Sequence, residues 1–164
     1  MFQRLSSFIL AMFFPAVAVA QDAGETYRDW SVARNSAGCI AVISVGLREA
    51  DSGLLTDALL PGPNDDTPSI MTVRVPLGAA LNQPLTYTYP RGDEAVGLEW
   101  QSCSDRTCLA SGPVSQPELD KLKRANRVFF GFQPLPGARP LIVPVSLLGV
   151  TRAWDAAQAC EQAN

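Results

Sequence analysis

Four cysteines in a chain that opens with an export leader constrain this sequence more than any other feature. Met1-Phe2-Gln3-Arg4 is a short cationic start, Phe8 to Val19 carries no charge, and Ala18-Val19-Ala20 is a small-x-small site. That order is the pattern of a cleaved signal peptide over residues 1–20, cut between Ala20 and Gln21. The apolar run is too short to be an anchor, because spanning a bilayer takes about 20 residues. No later stretch reaches that length, so no transmembrane segment is expected after cleavage. Loss of the leader removes Arg4 and takes the net charge from −3 to −4. Residues 21–164 then form a single domain, large enough to bury one core.

All four cysteines, Cys39, Cys103, Cys108 and Cys160, lie in the mature part. An even count in an exported chain implies two disulfides, and four cysteines allow three connectivities. Cys103-Ser-Asp-Arg-Thr-Cys108 places a four-residue loop between two positions of a hairpin. Residues directly opposite in such a hairpin lie within disulfide reach. Pairing Cys103 with Cys108 leaves Cys39 for Cys160. Chain entropy assigns about 2 kcal/mol to the short bridge and about 5 kcal/mol to the long one. A redox dithiol reads Cys-x-x-Cys at a helix start, which this spacing and strand-turn-strand context do not match. A four-cysteine zinc site needs two close pairs, and Cys39 and Cys160 are each isolated.

The mature chain alternates as short strands. Trp30–Arg34, Cys39–Leu47, Ser69–Pro76, Leu85–Tyr89, Ala95–Cys103 and Cys108–Ser111 read as strands, followed by 127–133 and 141–145. Residues 48–68 are the least core-like stretch. They carry five acids against one Arg, are broken by Pro61, Pro63 and Pro68, and read as an acidic loop. In Ala95–Cys103, Val96, Leu98 and Trp100 share the inward parity, which turns Cys103 outward unless a bulge shifts the register. Ser115-Gln-Pro-Glu118 has the form of a capping box and opens a helix to about Arg124. Val150, Ala153, Trp154, Ala157 and Cys160 form one apolar stripe of a C-terminal helix. Seven or eight short strands with two short helices define a mainly β chain, a β-sandwich with appended helices.

The composition excludes whole classes of chemistry. The sequence has no His, so no His-based triad or His metal ligand exists. Net acidity with only two Lys argues against nucleic acid, which needs a basic surface. Ser-x-x-Lys, Gly-x-Ser-x-Gly and the phosphate-loop patterns are absent. The acids Asp51, Asp57, Asp65, Asp66, Asp93 and Glu94 sit in turn-like settings, and nothing in sequence brings two of them together for glycosidase chemistry. Asn64-Asp65-Asp66 lacks the spacing of a calcium loop. Arg91-Gly92-Asp93 suits a turn. Trp30, Trp100 and Trp154 read as core, and Tyr87 and Tyr89 share one parity that could form a binding surface. No catalytic residue, metal site or cofactor is therefore assigned.

Five pieces of this chain resemble the invasion-associated locus B (IalB) family of bacterial envelope proteins. They are Asp29-Trp30-Ser-Val, Cys39 with its apolar continuation, Pro76-Leu-Gly-Ala-Ala-Leu81, Cys103-Ser-Asp-Arg-Thr-Cys108-Leu-Ala110, and the closing run from Val143 to Ala153. They run in family order over nearly the whole mature chain. Two positions depart. Ala33 stands where members often carry a Cys whose partner matches Cys39, and Val150 stands where Phe is usual. The resemblance implies an immunoglobulin-like sandwich and a place in the periplasm or on the surface of a Gram-negative-type bacterium. It implies no active site. It points to action by binding an envelope or host protein, although a shared fold does not transfer a host-entry role. The alternatives are a thiol-disulfide protein using Cys103 and Cys108, and a small-ligand carrier.

Overall fold

The computed structural model describes residues 24–36, 38–46, 53–61, 67–90 and 94–163. The leader, its cut site at Ala20 and Gln21, Asp51, Asp65, Asp66 and Arg91-Gly92-Asp93 lie outside them. Ten strands and two helices follow in chain order: β1 Thr26–Tyr27, β2 Trp30–Asn35, β3 Gly38–Gly46, β4 Gly53–Leu60, β5 Ser69–Pro76, β6 Leu85–Thr88, β7 Val96–Cys103, β8 Thr107–Val114, α1 Gln116–Arg124, β9 Arg127–Phe132, β10 Leu141–Ser146 and α2 Val150–Gln162. The fold is mainly β and sandwich-like, with one of its two helices at the C-terminal end.

The hydrogen-bonded order is β1-β2-β3-β4-β5-β8-β7-β6-β9-β10, and each pairing between described strands is antiparallel. Strand β7 belongs to both halves. Its start, Val96 to Leu98, pairs with β6, and its end, Glu99 to Cys103, pairs with β8. It is the corner at which one sheet passes into the other. Alternation supplies the core between them: Met71, Val73 and Val75 from β5, Leu85 and Tyr87 from β6, Val128, Phe130 and Phe132 from β9, and Val143 and Val145 from β10 are all buried. Over β2 and β3 the inner face is covered instead by α2, whose Val150, Ala153, Trp154 and Ala157 are buried.

The ends of the two sheets meet. The buried Trp30 indole N–H donates to the Ser146 carbonyl at 2.8 Å, and the Asp29 N–H donates to Leu148 at 3.3 Å. Gly149 closes this corner with φ +98°, and a Cβ there would run into the Tyr27 carbonyl. Only glycine meets both demands.

The strand count exceeds the seven or eight expected from sequence. The surplus is β1, a two-residue strand too short to show alternation in sequence, and β4, which runs through the stretch read as an acidic loop at 48–68. The reason is local. Gly53-Leu-Leu-Thr-Asp-Ala-Leu-Leu60 carries one charge, while the other acids and the prolines of 48–68 flank it. Averaging over the longer stretch hides an eight-residue run that β3 and β5 hydrogen-bond on both sides.

The capping box at α1 also departs from expectation. Ser115 occupies the N-cap, but its side chain caps nothing. The Glu118 carboxylate is engaged elsewhere, accepting the Tyr89 hydroxyl at 2.7 Å and lying 3.7 Å from Lys121.

Candidate binding groove and disulfide frame

Both cysteine pairs are bonded, Cys39 to Cys160 and Cys103 to Cys108. The long bridge sits in a cluster that seats the end of α2 on the β2–β3 hairpin. Arg34 donates to the Cys160 sulfur at 3.1 Å, and the Cys39 N–H donates to the Glu161 carboxylate at 2.9 Å. Gly38 makes room for that carboxylate: its φ is +129°, and a Cβ there would lie 2.6 Å from Glu161 Oε2. Ala33, the position where the family often has a cysteine, pairs with Ile40, while Arg34 faces Cys39.

The short bridge depends on a bulge. The β7–β8 register shifts between Trp100 and Ser102, so Trp100 faces Ala110 and Cys103 faces Cys108. Simple alternation turns Cys103 away from the Trp100 face. The extra residue Gln101 returns it to the face of Ala110 and Cys108. Cys108 is buried and Cys103, at the hairpin end, is exposed.

Of the aromatic candidates, Trp30 is fully buried. Trp154 is buried with the Lys123 ammonium 3.6 Å from its ring centroid, and Trp100 is half-buried, donating to Gln83 at 2.7 Å. Tyr87 and Tyr89 form no shared binding surface of the kind their parity allowed, although Tyr89 also lines a groove at the end of α1. That parity is the inward one, and both rings are buried in edge-to-face contact at 6.3 Å. At the chain's edge, Glu25 raises the Tyr27 phenol above its ordinary 10.0, first by its side-chain hydrogen bond, with burial adding to the shift.

A groove of about 980 Å³ opens between the end of α1, the start of β9 and the end of β10. Lys121, Arg124 and Arg127 line it together with Tyr89, Phe129 and Leu148. Among the described residues, Arg124 and Arg127 enter no salt bridge. Sequence reading missed this site. Lys121 and Arg124 belong to α1, and only the fold brings Arg127 and Phe129 of β9 beside them. No helix among the described residues is long and apolar enough to cross a membrane.

Residues 30–158 match the family described as Invasion associated locus B (IalB) protein. The chain belongs to the IalB family. A solved relative in structure is the crystal structure of invasion associated protein b from Bartonella henselae. The IalB-family chain described here superposes on it with a TM-score of 0.71 at 18% identity, covering 84% of this chain and 97% of that one. No curated protein matches the chain in sequence. The match spans both cysteine pairs except Cys160, which lies just past its end at residue 158. The latch formed by Cys160, Glu161 and Arg34 therefore joins a residue beyond the matched region to its second strand.

Proposed function

We propose that this protein is an exported, non-enzymatic envelope component that works by binding a protein or another envelope constituent in the periplasm or at the cell surface. Host-cell interaction is the setting that the name of the Bartonella protein brings to this reading. The observation that carries it is the disulfide frame. Two bonded pairs, one tying the last helix to an early core strand, suit a chain that folds in an oxidising compartment. The leader-like start supports the same reading, and the groove beside α1 offers a concave place to bind.

The test is expression of the full chain in a Gram-negative host, followed by fractionation, disulfide mapping and crosslinking in place. The expected result is a periplasmic or surface protein with both bridges complete and a reproducible crosslinked species. A reduced cytoplasmic protein, or no reproducible species, argues against it.

The exposure of Cys103 supports a second reading, thiol-disulfide activity of the Cys103–Cys108 pair. A reduction potential below about −300 mV assigns that bridge to structure. A higher potential together with insulin-reductase activity assigns it to exchange.

A further inference from the structure

The groove beside α1 does not end at its cations. On the outer face of the second sheet, the residues that alternate with the buried core are Arg127, Phe129 and Gly131 on β9, and Ser146, Pro144 and Ile142 on β10. They pair as Arg127 with Ser146, Phe129 with Pro144, and Gly131 with Ile142. The face is therefore graded along the strands. It begins at the groove with Lys121, Arg124 and Arg127, passes the half-buried Phe129 and the exposed Pro144, and ends on Ile142, which is 58% exposed. A Cβ at Gly131 would lie 3.2 Å from Ile142 Cδ1, so the isoleucine lies down across the glycine and continues the apolar surface. Four residue steps along the strand, from Arg127 to Gly131, separate the two ends by about 13 Å.

From this arrangement we propose that the groove and stripe bind a single anionic amphiphile, with a carboxylate or phosphate head among the cations and an alkyl chain along Phe129, Pro144 and Ile142. The inference rests on the binding reading above and names its ligand class. Lys121 and Arg124 also offset the dipole at the end of α1, but Arg127 lies in β9 and has no helix end to serve. Among the described residues, the carboxylate ion-paired with Lys121 is Glu118, and it also accepts the Tyr89 hydroxyl. An intact bilayer is the poorer partner. The basic wall is concave, and the net charge of −4 that remains without residues 1–20 repels an anionic membrane surface. An acidic peptide matches the cations and leaves the apolar stripe unexplained.

The experiment uses the full mature chain with both bridges intact. Titration calorimetry compares acetate, hexanoate, octanoate, decanoate and the alkyl phosphates of the same lengths, all below micelle formation, with an acidic peptide and with phosphatidylglycerol vesicles. The expected result is 1:1 binding that tightens with chain length, up to about fourfold per buried methylene, and weakens with salt. Arg124→Ala with Arg127→Ala weakens every chain length about tenfold. Ile142→Thr reduces the dependence on length and spares the shortest anions, with an unchanged thermal midpoint confirming that the variant folds. Length-independent binding, an unchanged slope in Ile142→Thr, or tighter binding of the peptide or the vesicles overturns the proposal. If no amphiphile binds while a protein partner is crosslinked, this inference falls and the broader binding function stands.

Discussion

The indole of Trp30, at the start of β2, is hydrogen-bonded to the carbonyl of Ser146, at the end of β10, across 116 positions of sequence. These strands lie one place from one end and at the other end of the hydrogen-bonded order. A fully buried ring with its only polar atom satisfied by the far sheet thus closes the sandwich where no strand pairing does. Trp30→Phe removes the donor and leaves the carbonyl unanswered. It is expected to lower stability by about 1–3 kcal/mol, and Trp30→Ala by about 3–5 kcal/mol, read from urea midpoints.

Removing the two bridges should not cost the same. Replacing Cys39 and Cys160 with Ala is expected to lower stability by up to about 5 kcal/mol, and replacing Cys103 and Cys108 by about 2 kcal/mol. Thermal unfolding under oxidising conditions measures both. In strong reductant the parent chain should approach the double variants.

The bulge at Gln101 makes a sharper prediction. Deleting Gln101 leaves Ser102 opposite Leu109 and Cys103 opposite Cys108 in a regular ladder. The short bridge should form as before, with no free thiol by labelling of the denatured protein. Appearance of two thiols would show that the register is wrong.

Gly149→Ala places a methyl group against the Tyr27 carbonyl in a left-handed backbone. Strain at such a residue is about 1–3 kcal/mol before the clash is added. The thermal midpoint should fall by more than that of Gly137→Ala, where φ is +78° but the added Cβ meets nothing within 4 Å.

Tyr27 supplies a pH test. Its folded-state value is raised, so its contribution is complete below its ordinary 10.0 and is lost as pH rises through the raised value. Glu25→Ala removes the largest cause of the shift. In ultraviolet difference titration the Tyr27 step should move down toward the ordinary value.

Much of the fold was legible because its strands alternate cleanly. Met71, Val73 and Val75 mark β5, and the stripe from Val150 to Cys160 marks α2, because burial on one face leaves a period in the sequence. The strand β4 was hidden because Asp57 and the flanking prolines and acids dominate a window that holds two leucine pairs. The capping box failed because Glu118 finds Tyr89, a partner 29 positions away that no local pattern reveals. The groove was illegible for the same reason. Lys121 and Arg127 each have an ordinary local explanation, and only the packing of α1 beside β9 and β10 makes them neighbours.

The bond between Cys39 and Cys160 has a further consequence. It turns the stretch from residue 39 to residue 160 into a covalent ring. A protease that cuts once within that ring opens a loop but releases no fragment, and the two pieces keep the mass of the whole until a reductant is added. Outside a cell, where peptidases are common and thiols scarce, the first nick removes one peptide bond and leaves the molecule assembled.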